Sequence, residues 1–481
     1  MPTLQHLSSR YSIVLISIIA FISSCALRQS KLNMAMNSIQ MTSQVHKSQA
    51  KNDSAKFMRA FHNLSSDLPF RQQLLGLYER NGYQTVFLNR FLENGQIQSF
   101  ITYLDHIDQH GLNNNLFPSE KIKKLLQKKE GINSMAESNA NDLELLIASS
   151  LIKYSIILQF GATSPSTIYE NYSTPTLIPD SNVMIEISNI ANLKKYLDSI
   201  QPKDKNYLTL QKTLALIETD RSAQKEDNKR KLVVNLERLR WKNKPILQKF
   251  VAVNIANFTL DVIDKGKSIL NMKVCVGEPG EWATPQLGSM IYTVQVNPVW
   301  NIPQSIIKQE TVSLISENRY YLAKNNINVY QNGKLVQEPE LINWLTVDPD
   351  KYQFQQQPGS KNALGKIKFL FANESNVYLH DTPDKAVFKN GMRAVSHGCV
   401  RVEKPLELAY TLFGKSEKFK QIKNAMQNGT PSAKYITLSP PIPVRLLYYT
   451  ALGDGTSGVK FYDDVYGLDQ ALYIALQRVF N

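Results

Sequence analysis

The spacing of apolar residues changes once along this chain, near residue 246, and that change limits the fold more than any other feature. Before it, apolar residues fall three and four apart, as in Phe70–Tyr78 and in the long run from Asp142 to Phe160. That spacing predicts helices with one buried face. Gly161 and Pro165 then supply a stop. After residue 246, VAVNIANFTLDVI alternates apolar with polar residues, and SILNMKVCVG, MIYTVQVNPVW and KIKFLF are short β-branched and aromatic runs bounded by Gly, Pro and Asn. Those are strand signals. The expected class is therefore α+β, with a mainly helical domain over 53–245 and a β-rich domain over 246–435. Residues 301–360 interrupt the second domain with a helical piece, SIIKQETVSLISEN, and a loop. The end, 436–481, closes with an amphipathic helix. Its Leu468, Leu472, Ile474, Leu476, Val479 and Phe480 call for burial, and the helical domain is the expected partner.

The N-terminus narrows the compartment. Residues 11–26 read YSIVLISIIAFISSCA, preceded by Arg10. The run is shorter than the ~20 residues a spanning helix needs and has the length of a signal-peptide core. It ends in small residues and Cys25, which resembles a bacterial lipobox with Cys25 as the acylated residue. An ordinary secretory signal with an incidental cysteine is the alternative. We expect a signal segment over 1–25, a polar tether over 26–52, and a periplasmic lipoprotein. No acidic residue follows Cys25, which favours the outer membrane over the inner one.

Net charge is +14, from 55 Lys and Arg against 41 Asp and Glu. Nucleic acid, anionic lipid and an acidic wall polymer all suit such a charge, but export removes nucleic acid. The basic stretch Lys121–Lys129 then reads as a solvated helix face. Three cysteines are too few for a disulfide scaffold. With Cys25 assigned to an anchor, Cys275 and Cys399 remain to pair or to act singly.

The strongest local signal is Ala394-Val395-Ser396-His397-Gly398-Cys399-Val400-Arg401, with His380 nineteen residues before the cysteine at the end of the strand-like run Val377-Tyr378-Leu379. A thiolate is a good nucleophile, the more so beside an imidazole. Histidine supplies a base whose pKa lies near the working pH. Gly398 permits a sharp turn, and the N–H groups of Gly398 and Cys399 can stabilise an oxyanion. The residues therefore suit acyl transfer.

SHGCVR with an upstream LHDTP resembles the signature of the YkuD-type L,D-transpeptidase catalytic domain. NLERLRW (235–241), VGEPGEWATPQLGSMIYTVQVNPVWNIPQSI (276–306), PGSKNALGKIKFLF (358–371) and VYLHDTP (377–383) are similar to its large, YcbB-like branch. The resemblance implies Cys399 as nucleophile and His380 as general base. Asp381 would orient His380 through its backbone carbonyl, with its side chain dispensable, and Gly398 would belong to the oxyanion hole. Ser396, His397 and Arg401 would support the turn, Arg401 by anchoring the loop or a substrate carboxylate. The branch often has serine where this chain has His397. The implied reaction is attack on the third residue of a peptidoglycan stem, release of D-alanine, a thioester on Cys399, and transfer to the side-chain amine of a second stem. No metal or cofactor is implied, and carbapenems are expected inhibitors. Residues 301–360 would form a capping subdomain over the site. Only 209–232 remain where the branch usually carries a peptidoglycan-binding insert, too few for a separate core, so the insert is expected to be missing or reduced to a helical hairpin.

Trp300, Tyr292 and Tyr378 are candidate core or cleft walls. Asn362 and Gly365 divide evenly between cleft lining and turn chemistry. Cys275, in an alternating strand, reads as a buried, inert thiol. His106 and His110, four apart, read as a helix end closed by Gly111 rather than a metal site. Water as acceptor would give an L,D-carboxypeptidase, and a protein as acceptor a wall-anchoring transferase. A non-catalytic wall-assembly protein is the rival of another class, opposed by the intact Cys399–His380 pair. A papain- or sortase-like protease is disfavoured by the missing papain motif near the mature N-terminus and by an arginine only two residues after the cysteine.

Overall fold

The computed structural model describes residues 54–127, 137–242, 249–430, 432–453 and 458–480. The signal-like segment 1–25 with Cys25, and the tether 26–52, lie outside the described residues. The chain forms two compact units. One holds the described residues up to Ile101, with Pro118–Lys153 and Asp180–Tyr196. The other holds Thr102–Phe117, Tyr154–Pro179 and Leu197–Asn481. The helical stretch read as one domain over 53–245 is thus shared between the two.

The first unit is helical. Its organising group is Glu144, fully buried on the helix Glu137–Phe160. The Glu144 carboxylate accepts from the Val86, Phe87 and Leu88 amides at 2.7, 2.9 and 2.9 Å and from the Tyr78 hydroxyl at 2.8 Å. The amides belong to the start of the helix Phe87–Phe91, where unpaired N–H groups would otherwise be stranded in the core. Asn139–Phe160 is long and apolar enough to cross a membrane by composition, but Leu143, Ile147, Leu151 and Ile152 are fully buried, which marks a core helix.

The second unit contains the strands. In chain order they are β1 (Tyr172–Ser173), β2 (Lys249–Asn254), β3 (Thr259–Asp264), β4 (Lys267–Gly277) and β5 (Gln286–Val296), then β6 (Trp300–Asn301), β7 (Ile327–Gln331), β8 (Lys334–Leu335) and β9 (Tyr352–Gln356), then β10 (Ile367–Phe371), β11 (Leu379–His380), β12 (Ala394–Ser396), β13 (Val400–Val402) and β14 (Lys434–Leu447), and finally the small pair β15 (Ala451–Gly453) and β16 (Val459–Phe461). The main sheet runs β1-β5-β10-β11-β13-β4-β3-β2-β14, and β14 also pairs with β5. The hydrogen-bonded path from β5 to β14 therefore closes on itself. Inward residues such as Leu260, Val274, Val294, Phe369 and Val444 form its core. The helices Pro405–Phe413 and Glu417–Asn428 add Leu408, Ala409 and Ile422 to that core.

Strand β14 corrects the boundary expected at 435. Residues 434–437 and 442–446 pair with β5, and 444–447 pair with β2. The segment is part of the sheet because it supplies the bonds that both neighbours would otherwise lack.

Between β5 and β10 lies a separate layer. Strands β6, β9, β7 and β8 make a four-stranded sheet, which packs with the helical segment Gln304–Glu317 around Trp344, Phe354 and Ile307.

The helix Lys225–Arg240 joins the helical residues of this unit to its C-terminus. Arg240 pairs with Glu237 at 2.7 Å, both fully buried, and donates to the His110 carbonyl and the Tyr207 hydroxyl at 2.7 and 2.9 Å. Arg238 pairs with Asp469 at 2.5 Å at the start of the C-terminal helix Leu468–Phe480. Leu472, Leu476 and Phe480 are buried, whereas Ile474 and Val479 stay 43% and 38% exposed. The helix therefore buries a narrower face than the six apolar residues predicted.

Candidate active site

Strands β11 and β13 run parallel, with Leu379 opposite Val400 and His380 opposite Arg401. Side chains alternate across a strand. Leu379 and Val400 point inward and are fully buried in the core. Tyr378, His380, Cys399 and Arg401 consequently share the opposite face, where they line one cavity of about 300 Å³. The Val400 N–H donates to the Tyr378 carbonyl at 3.1 Å, which keeps the nucleophile turn beside β11.

His380 is buried, and its Nδ1 lies 2.5 Å from the Asp381 carbonyl oxygen. A carbonyl only accepts, so Nδ1 carries the hydrogen and Nε2 keeps the lone pair. Burial, aided by Arg401 and Lys368, pushes its pKa down to about 3, so the ring is neutral near pH 7. Burial raises the Cys399 thiol, against the pull of Tyr378, Lys368 and Arg401. The resting pair is thus thiol and neutral imidazole.

The turn before Cys399 is held from several sides. Gly398 has φ +106°, a region that favours glycine. Thr284 donates to the Gly398 carbonyl at 2.8 Å and accepts from the Gly277 N–H at 2.8 Å, tying the turn to β4. Ser396 donates to the Cys399 carbonyl at 2.6 Å. These bonds leave the Gly398 and Cys399 amides without a protein acceptor among the described residues, as an oxyanion hole requires. His397 packs edge-on against Trp282, centroids 4.6 Å apart, and its Nε2 meets Glu310 Oε1 at 2.5 Å.

The other candidates separate cleanly. Trp300 and Tyr378 line the cavity. Tyr378 lines the cavity with Cys399 and favours its thiolate, which makes it the sulfur's neighbour rather than a passive wall. Tyr292 is not on that lining; it stands 44% exposed on β5. Asn362 and Gly365 are not on it either. Asn362 is buried and its Nδ2 donates to the Pro298 and Gln356 carbonyls at 3.0 and 3.1 Å, so it is a turn clamp. Gly365, at φ +60°, sits where a Cβ would come within 2.4 Å of Asp381 Cγ. The Asp381 side chain is engaged in the loop as well. It accepts from the Lys366 N–H at 2.9 Å, the Thr382 N–H at 2.8 Å and Lys385 Nζ at 2.6 Å, fixing the loop that carries the His380 acceptor.

Cys275 and Cys399 are both free thiols. Cys275 is fully buried, and burial pushes its pKa up to about 11. His110 bonds Tyr207 at 2.8 Å, and Gly111 closes its short helix at φ 72°. His106 bonds the Thr102 carbonyl at 2.8 Å.

Three residues escaped the sequence reading. Thr284 carries no signal of its own. Lys368 lies opposite His380 across β10 and β11, with its Nζ 5.3 Å from the Tyr378 ring centre. No carboxylate pairs with it among the described residues. The run KIKFLF marks a strand but says nothing of what Lys368 would meet. Glu310 enters from the separate layer.

The closed β-rich domain brings a cysteine and a neutral histidine together on adjacent strand ends, an arrangement chemically suited to thiol acyl transfer. Residues 248–430 match the family model of the YkuD L,D-transpeptidase catalytic domain, and residues 72–214 match that of the Scaffold domain. The chain thus carries a YkuD-type L,D-transpeptidase catalytic domain with an N-terminal Scaffold domain. A Haemophilus influenzae protein, whose curated name assigns it provisionally to the L,D-transpeptidases, is 34% identical over 257 residues, covering 52% of this chain and 50% of its own. The chain thus spans about half the length of that curated relative. Among solved structures, an L,D-transpeptidase from Mycobacterium smegmatis is 14% identical over 41% of this chain and 58% of its own, with a TM-score of 0.21. L,D-transpeptidase 1 of Mycobacterium tuberculosis is 12% identical over 41% and 60%, with a TM-score of 0.16.

Proposed function

We propose that this protein is a peptidoglycan L,D-transpeptidase that links the third residues of two stem peptides through a thioester on Cys399. The observation that carries the reading is the common cleft face of Cys399 and His380, with the imidazole neutral and its Nδ1 proton held by the Asp381 carbonyl.

Cys399 Sγ attacks the carbonyl carbon of the amide between the third stem residue and D-alanine. The thiol proton passes to His380 Nε2 as the C–S bond forms. The Gly398 and Cys399 amides stabilise the oxyanion. His380 then gives the proton to the amide nitrogen, the C–N bond breaks, and D-alanine leaves. In the second half the side-chain amine of another stem attacks the thioester carbon. A C–N bond forms, the C–S bond breaks, and the amine proton returns to sulfur through His380. Arg401 has no carboxylate partner among the described residues and lines the cavity. It is the natural partner for a stem carboxylate.

The lipobox-like Cys25 supports an exported, acyl-anchored protein, with carbapenems as covalent inhibitors of the thiol. Incubation with a tetrapeptide stem, read by mass spectrometry of the products, tests the reaction. Third-to-third cross-linked product with free D-alanine is expected from the native chain and neither from Cys399→Ser. Tripeptide alone would point to a carboxypeptidase.

A further inference from the structure

The helical segment Gln304–Glu317 is not regular. Between Gln304–Ile306 and Val312–Glu317 the turn Ile307–Thr311 widens to a π-helix. Such widened turns concentrate at functional sites, because the extra residue re-aims a side chain. Here the turn carries Glu310. Its side chain lines the same cavity as Cys399 and is the only carboxylate on that lining among the described residues. The cationic groups there are Lys361 and Arg401. Glu310 Oε1 meets His397 Nε2, two residues before the nucleophile, whereas Oε2 has no hydrogen-bond partner among the described residues.

A structural pin between the two layers is the simpler role for this contact. It suits the site poorly. Glu310 is 49% and His397 29% exposed, and ion pairs so exposed contribute little to stability. The layer bearing Glu310 has its own core around Trp344 and Phe354 and does not need the pair. The charge pattern suits ligand sorting better. The two stems of the proposed reaction differ in charge where they react. The donor presents carboxylates, for which Arg401 is suited. The acceptor presents an alkylammonium group, cationic at neutral pH. A carboxylate beside the thioester is the complementary group for it.

We infer that Glu310 is the acceptor-recognition residue, taking the ammonium of the incoming side-chain amine on its free carboxylate oxygen beside Cys399. The ammonium gives one proton to that carboxylate, which passes it to solvent, and the neutral amine then attacks the thioester carbon. The inference rests on the transpeptidase reading and adds the acceptor's charge as the feature selected. Glu310 acts on the second half-reaction, so its effect is on how the acyl-enzyme divides between amine and water.

The test compares the full chain with Glu310→Gln and Glu310→Asp. A tetrapeptide donor is supplied with either a stem bearing a side-chain amine or hydroxylamine, which is uncharged at pH 7.5. Products are counted by mass spectrometry per Cys399 acylated, so any change in acylation cancels. E310Q is expected to lower the share of acyl-enzyme captured by the ammonium-bearing stem about tenfold, the size of one lost charged hydrogen bond. Capture by hydroxylamine should stay within about twofold, and E310D should recover part of the loss. Equal partition in E310Q and the native chain overturns the inference alone. An equal loss toward both nucleophiles also overturns it, since that is the mark of a structural pin. Absence of any acyl-enzyme in the native chain overturns the transpeptidase reading together with it.

Discussion

His380 Nδ1 stands 2.5 Å from the carbonyl oxygen of Asp381, the next residue in the chain. The contact assigns the ring's hydrogen and leaves the lone pair on Nε2, with no carboxylate hydrogen-bonded to the imidazole among the described residues. The Asp381 carboxylate is spent instead on the Lys366 and Thr382 amides and on Lys385. Backbone geometry thus does what a third catalytic side chain does elsewhere.

His380→Ala should lower kcat for D-alanine release by roughly 10²–10⁴-fold, the usual contribution of a general base. Near-ultraviolet circular dichroism should show the fold retained. Release within a few-fold of the native rate would remove His380 from the mechanism.

Alkylation of Cys399 by iodoacetamide should rise with pH beyond the ordinary thiol range, with no plateau near pH 6–8. Burial raises the thiol and lowers His380 to about 3, so the pair is uncharged across that range. Lys368 favours the thiolate. Lys368→Met should therefore move the profile to higher pH, and Lys368→Arg should restore it. A flat profile from pH 6 would mean a preformed thiolate–imidazolium pair.

Acid should destabilise the second unit in a defined window. His110 and His380 are both lowered to about 3 by burial. Between that value and the ordinary imidazole range near 6.5, the unfolded chain binds protons that the folded chain does not. Stability is then full above that range and falls as pH drops, by up to about 1.4 kcal/mol per pH unit for each histidine. Urea midpoints between pH 7 and 4 measure the slope, and His110→Gln should flatten it by about one proton. An unchanged slope would contradict a buried neutral His110.

Gly365→Ala should act on the site from outside the cavity. Its Cβ would lie 2.4 Å from Asp381 Cγ, at φ +60°. Strain of this kind costs about 1–3 kcal/mol, and relief requires moving the loop that holds the His380 acceptor. Thermal denaturation should register the loss, together with reduced kcat. Native stability and turnover would contradict the close approach.

What was legible in the sequence was what carries its own chemistry or period. Cys399 and His380 announce themselves by residue type, and β2 to β5 by alternation. β14 was hidden because Pro440, Pro441 and Pro443 argue against a strand. The register shift between Thr437 and Ile442 takes up Pro440 and Pro441, whereas Pro443 stays in register opposite Met290. Asn362 and Gly365 fit cleft lining and turn chemistry equally by residue type, and only packing shows that they hold the turn. Lys368, Thr284 and Glu310 owe their places to strand register, a loop bond and a π turn, none of which leaves a mark on residue spacing.

Intact-mass spectrometry of the full chain with a tetrapeptide stem reads the Cys399 thioester itself. A mass gain equal to the stem without its D-alanine is expected, located at Cys399 by peptide mapping and lost in Cys399→Ser. An unmodified native chain with no D-alanine released, or an adduct that persists in Cys399→Ala, would contradict it.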